Sequence, residues 1–378
     1  MRVVFVLMMA LVVIPRTAAE EPVIPKWRLL QVGVFTPGKW NAITDVAGVQ
    51  VGHQTLIQGT RCRTGVTVIK PHAGNIFQNK VHAALHVANG FGKLAGATQV
   101  DELGTLETPI ALTNTLSVPV AVQSLIKDTL QQPGNENVRS VNAVVGETND
   151  GFLNDIREGF VKESDVHAAI KNATSGRVLE GNVGAGTGTV CFGYKGGIGT
   201  ASRVLPKSLG HATVGVLVQT NFGGILRING APVGESLGKH YLHDLLKRVH
   251  DGSCMIVVAT DAPLDSRQLK RVARRALYGL VRTGGISTHG SGDYVLAFST
   301  APITHAADAK LTDRATAWPD EKLSPIFLAA AEATEEAIYH SLFAAENMTG
   351  HRGAIQALPQ KKVFEILEHH RLLRLRSE

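Results

Sequence analysis

Short valine-rich runs at residues 65–69, 141–145, 213–219, 254–260 and 294–300, each bounded by Gly, Asn, Asp or Pro, constrain this chain most. Runs of that length and composition read as strands. Between and after them lie two helical patterns. From Asp265 to Arg282, Leu269, Val272, Ala273, Ala276, Leu277 and Leu280 recur at intervals of three and four, and Asp265 or Ser266 can cap the start. Ser324-Pro325 opens a second helix whose apolar stripe is Phe327, Ala330, Ala331, Ile338 and Leu342, interrupted by Thr334. Strands mixed with amphipathic helices and no repeat predict an α/β chain in which helices cover sheet faces, a layered sandwich rather than a barrel.

The 378 residues suffice for one large or two ordinary domains. Residues 1–19 stand apart. Arg2 precedes an apolar stretch from Val3 to Ile14, and Thr17-Ala18-Ala19 supplies the small residues of a secretory cleavage site. The expectation is a signal peptide and an exported protein, periplasmic or secreted. That stretch is short of the ~18–20 apolar residues of a membrane span, so no stable membrane insertion is expected. Removing the leader takes away two arginines and no acid, lowering the net charge from +6 to +4, too mild to argue for nucleic acid. Cys62, Cys191 and Cys254 have no metal-ligand spacing; they allow one disulfide but no cysteine framework.

The pair Gly252-Ser253 sits where the polar stretch 227–250 meets the apolar run at 254. If the Ser253 hydroxyl attacks the Gly252 carbonyl, the peptide rearranges to an ester, and water then frees a serine with both a hydroxyl and an α-amine. Such an amine titrates near ~7.7–8.0 and can take the proton from its own hydroxyl at neutral pH. Glycine before the cut suits the strained backbone of that attack. The same pair also reads as an ordinary turn. The stretch 227–250 lacks a strand pattern and reads as a long connection, which in compact domains usually has a function.

Other residues carry chemistry in the same conditional way. Asn221, in Thr220-Asn221-Phe222-Gly223-Gly224, could donate its amide to an oxyanion or simply serve a turn. Ser291 and Asp293 are two apart and share a side if extended, giving a hydroxyl oriented by a carboxylate; a Gly/Ser loop is the plainer reading. Glu147 follows a strand and could bind a substrate ammonium, or be an exposed loop carboxylate. His289 is a possible general base beside the Ser291 loop. His82 and His86, four apart on an expected helix, could bind zinc but lack the glutamate of a metalloprotease helix. Cys254 reads as a buried small side chain rather than a nucleophile. The basic stretch 361–376 reads as a packed amphipathic helix.

Together these segments resemble the DmpA/BapA family of self-processing serine aminopeptidases, which includes D-/L-aminopeptidases and β-peptidyl aminopeptidases. The likeness runs from about Asn41 to Thr300 and is strongest in Gly104-Thr105-Leu106-Glu107-Thr108-Pro109-Ile110-Ala111-Leu112-Thr113-Asn114-Thr115 and in the runs 144–151, 219–223, 252–263 and 290–300. It implies a four-layer αββα sandwich resembling N-terminal-nucleophile hydrolases with its own connectivity, and one catalytic domain cut into an α chain, 20–252, and a β chain, 253–378. It also implies a tetramer of αβ units. By the same resemblance Ser253 corresponds to the nucleophile, Asn221 to the oxyanion donor, Ser291 and Asp293 to the pair that positions the nucleophile, and Glu147, with Asn149 and Asn114, to the substrate-binding set. Substrates would be short peptides, amides or esters with a free amino terminus, including β-amino or D-residues, and no metal or organic cofactor is implied. The rivals are a self-processing acyltransferase of related fold, which generally uses threonine as nucleophile, and a non-catalytic exported binding protein.

Overall fold

The computed structural model describes residues 24–241, 243, 252–303 and 318–376; the leader, Asp251 and most of 242–250 lie outside the described residues. The strands are β1 Gln50–Gln58, β2 Cys62–Lys70, β3 Val81–Gly90, β4 Leu94–Ala95, β5 Thr105–Leu106, β6 Ile110–Asn114, β7 Val144–Thr148, β8 Val190–Cys191, β9 Tyr194–Lys195, β10 Ile198–Val204, β11 Thr213–Asn221, β12 Ser253–Thr260, β13 Gly292–Ser299, β14 Met348–Gly350 and β15 Gly353–Ile355. The helices are α1 Ala97–Leu103, α2 Val118–Leu130, α3 Glu163–Lys171, α4 Val233–Ser236, α5 Ser266–Arg282, α6 Ser324–Phe343 and α7 Gln360–His369.

Two sheets form the centre, one ordered β1-β2-β6-β7-β4 and the other β10-β11-β12-β13-β3-β5. They face each other across Leu112 and Val144 from the first and Leu217, Met255, Val257 and Leu296 from the second. Helices α2 and α3 cover the outside of the first sheet through Ala121, Leu125, Val166 and Ala169. Helices α5 and α6 cover the second through Leu269, Val272, Ala276, Ala330 and Ile338. The layers are therefore αββα. In β12, Cys254, Ile256 and Val258 point to the helices while Met255, Val257 and Ala259 point to the other sheet. A strand buried on both faces reads as an unbroken apolar run, which is why its sequence is so uniform.

The amphipathic pattern of α5 forms as expected, with Asp265 accepting from the Gln268 N–H at 2.7 Å and Gln268 reaching back, a reciprocal cap. Other expectations need correction. β3 is a strand, so His82 and His86 lie on one side of a strand and not on a helix. Its alanines suggest helix, but pairing with β13 overrides that weak preference. In α6 nearly every residue after Ala329 is buried, Thr334, Glu335 and Glu336 included, and Ile326 rather than Phe327 fills the first turn of the core face. The segment after Arg227 is not a free connection at its start: Ile228, Ala231 and Val233 are core residues and α4 follows. All three cysteines are buried and free. Helix α7 packs through Val363 and Leu367, as the sequence pattern implies. Among the described residues no helix is long and apolar enough to cross a membrane.

Candidate active site

Strand β12 runs antiparallel to β11 and parallel to β13, so Asn221 lies opposite Ser253 and Cys254 beside Asp293. A parallel pair needs a crossover, here α5, and that crossover brings the starts of β12 and β13 to one end of the sheet. Ser253 is only 6% exposed, and its Oγ accepts from the Gly292 N–H at 3.1 Å. Gly252 is wedged against the end of β11. A Cβ there would stand 1.9 Å from the Asn221 carbonyl oxygen and 2.6 Å from the Phe222 Cα, so only glycine fits.

On the other flank, Ser291 Oγ donates to Asp293 Oδ1 at 2.8 Å, the side-by-side arrangement expected from their spacing. Burial raises the Asp293 pKa against the hydrogen bonds from Ser287, Ser291 and the Cys254 backbone. None of the described hydrogen bonds reaches its buried Oδ2. Asn89 at the end of β3 donates to the carbonyl oxygens of Thr288, at 3.0 Å, His289, at 3.1 Å, and Ser291, thereby fixing the turn that carries Ser291. Sequence reading missed Asn89, whose only signal is the turn-like Asn89-Gly90-Phe91-Gly92. His289 is exposed, its ring 5.9 Å from that of Phe91, and none of the described hydrogen bonds joins it to Ser253.

Glu147 sits within β7 rather than after it, because that strand begins later than the apolar run suggests and continues to Thr148. The carboxylate is 2% exposed and accepts from the Lys93 N–H at 3.0 Å and from the Thr115 hydroxyl. Burial raises its pKa in spite of those bonds. The same end of β7 leads to Asn149, whose carbonyl accepts the Asn221 amide at 2.9 Å. Asn221 Oδ1 in turn accepts from the Val190 N–H at 2.9 Å. The two bonds fix the orientation of the amide, and its second N–H remains for another acceptor. The Asn149 side chain turns onto the Gly151 N–H. Asn114 serves the fold: its oxygen accepts from the Leu116 and Ser117 N–H groups and its amide donates to Thr64, while the adjacent Thr115 is what reaches Glu147.

Behind Asn149 lie two buried ionisable groups that no motif signalled. Asp150 accepts from Asn154 at 3.0 Å, and burial lifts its pKa to about 7. Lys195 donates to the Gly186 and Gly196 carbonyls at 2.9 and 2.7 Å, and burial lowers its pKa to about 7. In front, a cavity of about 590 Å³ is lined by Asn149, Asn221, Phe222 and Gly252, with Phe152, Ile156, Ile355, Lys239 and Arg352 farther along. Burial pushes the Cys254 thiol pKa well up, away from thiolate chemistry. Among the described residues no cluster of three His, Cys, Asp or Glu side chains is arranged to hold a metal.

The family model described as Peptidase family S58 matches residues 41–356. Beta-peptidyl aminopeptidase BapA of Sphingosinicella microcystinivorans is 43% identical over 362 residues, covering 89% of this chain and 90% of that protein. A beta-aminopeptidase structure from Burkholderia sp. matches with a TM-score of 0.83 and 39% identity over 94% of this chain and 100% of that one. The L-aminopeptidase D-Ala-esterase/amidase from Ochrobactrum anthropi, described as a prototype for the serine aminopeptidases and a new variant of the Ntn hydrolase fold, matches with a TM-score of 0.84 and 36% identity, covering 92% and 98%. The sandwich is thus of the Ntn hydrolase kind. With the family match running from residue 41, ahead of β1, through Glu147, Ser253 and Asp293 to the β14–β15 hairpin, this chain belongs to Peptidase family S58.

Proposed function

We propose that this peptidase is an aminopeptidase that activates itself by cutting between Gly252 and Ser253 and then works through an acyl-enzyme on Ser253. In the first cut the Ser253 oxygen attacks the Gly252 carbonyl and the Gly252–Ser253 amide becomes an ester; water splits the ester, leaving a carboxylate on Gly252 and a free amine on Ser253. In turnover that amine takes the hydroxyl proton as Oγ attacks the substrate carbonyl, and hands it to the departing amine. Water repeats the attack on the ester and releases the N-terminal residue. Asn221 holds the oxyanion with its remaining N–H, Ser291 and Asp293 orient the nucleophile, and Glu147 receives the substrate ammonium.

One observation carries the reading: Ser253 Oγ lies at the end of β12, hydrogen-bonded to Gly292, directly opposite the fixed amide of Asn221. The buried, cation-hungry Glu147 at the same end explains why a free amino terminus would be required. The sheet also suits a cut chain. β12 and β13 are hydrogen-bonded between β11 and β3, so strands from both sides of the cut interleave and the two pieces stay locked together. The names of the relatives make β-amino N-terminal residues part of the proposal; export, from the leader pattern of residues 1–19, and assembly as a tetramer of αβ units, from the family resemblance, complete it.

The test is intact mass and N-terminal sequencing of the wild type and a Ser253→Ala variant. Two fragments, one starting at Ser253 and absent from the variant, are expected, with release of N-terminal residues from short peptides only by the wild type. A wild-type chain that stays whole while cleaving peptides would remove the self-activated amine from the mechanism.

A further inference from the structure

The geometry points to a carboxylate-binding end of the cavity: we propose that the substrates are short peptides with a free C-terminal carboxylate, received by Lys239 and Arg352. The inference rests on the aminopeptidase reading, which sets the direction of the substrate. With the ammonium at Glu147 and the scissile carbonyl between Ser253 and Asn221, the part that leaves extends away from Glu147 into the cavity that Asn221 and Gly252 help line. Among the described residues, the charged ones lining that cavity are Lys239 and Arg352, with no carboxylate beside them.

Neither cation takes part in a described ion pair, and burial alone shifts Lys239. Lys239 Nζ instead lies over the buried Tyr194 ring, 4.1 Å from its centroid, and partial burial lowers its pKa. Arg352 is carried by the turn between β14 and β15, and that turn is tied to the loop after β7: the Arg352 N–H donates to the Phe152 carbonyl at 3.0 Å and the His351 N–H to that of Leu153 at 2.8 Å. The backbone of Arg352 is therefore fixed relative to Asn149 and Asn221. Phe152 and Ile355 give the walls an apolar character, suited to the side chain next to the carboxylate. Two cations with no ion-pair partner among the described residues, beside apolar walls, match a peptide acid and leave its neutral amide without a partner.

The experiment compares alanyl-phenylalanine and β-alanyl-phenylalanine with their C-terminal amides, following release of phenylalanine or its amide by chromatography. Each pair shares one N-terminus and one scissile bond. The wild type should favour the acid in kcat/KM by about tenfold or more, and raising the ionic strength should shrink that preference. In the double variant Lys239→Gln and Arg352→Gln the acid-to-amide ratio should fall toward one. Equal wild-type rates on acid and amide would overturn the carboxylate proposal while leaving the aminopeptidase reading intact; no hydrolysis of any of the four peptides would overturn both. Variants that lower acid and amide turnover in equal proportion would assign the two cations to the fold instead.

Discussion

Glu336 on α6 and Asp150 after β7 are both buried carboxylates, yet one is held well below its ordinary pKa and the other is lifted to about 7. Burial pushes both up. At Glu336 it is overcome by Arg203, whose guanidinium donates at 2.5 Å, and by His340 and Arg376. That guanidinium also reaches Glu332 at 3.2 Å and the Val32 carbonyl, while His340, pushed down by burial but lifted to about 9 by Glu180 and Glu336, lies against both acids. Every acid in this group has a cation. At the open end of the sandwich Glu147, Asp150 and Asp293 have none in direct contact among the described ion pairs, and burial raises all three. The same cost of burial is compensated in the α6 group and left uncompensated at the end that carries the candidate site.

The largest effect expected from breaking this contrast is on stability. Arg203→Met takes from Glu332 its cation among the described ion pairs and from Glu336 one of three, and removing one partner of a buried pair costs about 3–5 kcal/mol. Denaturant unfolding of the Ser253→Ala background, which keeps the chain in one piece under the proposed mechanism, measures it. A loss below about 1 kcal/mol would show that the α6 group is not the compensated half of the comparison.

Glu147→Gln should behave in the opposite way. The variant keeps the shape, accepts from the Lys93 N–H with its oxygen and donates its amide to the Thr115 hydroxyl oxygen, so unfolding stability should stay level or rise, because the buried charge is gone. Loss of the acceptor for a substrate ammonium should cost about 2–5 kcal/mol in kcat/KM, mostly through KM. Peptides whose N-terminus is acetylated should be poor substrates for the wild type and no poorer for the variant. Unchanged kcat/KM on free-amine peptides would take Glu147 out of substrate recognition.

The sequence exposes these two regions unequally. α5 and β12 are legible because each follows a single rule: a repeat of three and four with a cap, and an apolar run buried on both faces. β10 is not. Its Ile198-Gly199-Thr200-Ala201-Ser202 is small and polar because α6 passes so close that a Cβ on Gly199 would stand 1.9 Å from the Ala337 carbonyl oxygen. Arg203 and Glu336 look like surface charges on a strand end and a helix face; only the tertiary fold, which seats α6 on β10, buries them together. At the open end, Ser253, Asn221, Ser291 and Asp293 announce themselves as polar residues beside glycines at strand ends. Asn89 and Lys195 do not: the partners of Asn89 are backbone carbonyls of a loop far along the chain, and those of Lys195 are the carbonyls of nearby glycines, which no side-chain motif marks. Glu147 was visible as an acid near a strand, but its burial depends on Thr115 and Lys93 folding over it.

Asp150 gives the finest test, because pH changes its charge without a mutation. In the unfolded chain its carboxyl ionises near 3.8, in the folded chain near 7. Below about 3.8 it is neutral in both states and contributes nothing to their difference. As pH rises from there to about 7 the unfolded chain releases the proton first, so folding stability falls over that window and stays lowered above it. Asp150→Asn can still accept from Asn154 and removes the penalty. The variant should match the wild type at pH 4 and exceed it by about 1–2 kcal/mol at pH 8. Lys195, itself lowered to about 7, is mostly neutral at pH 8 and offsets little of the cost there; relaxation around the buried carboxylate sets the expected gain below the full shift. If the open end carries its unpaired acid for the sake of Asn149 and the Asn221 amide beside it, the more stable variant should also turn over peptides more slowly, with KM little changed. A variant that gains stability at pH 8 with full activity would make Asp150 a burden without a use, and a variant with no gain would mean that the pairing seen around Glu336 has a counterpart here in Lys195.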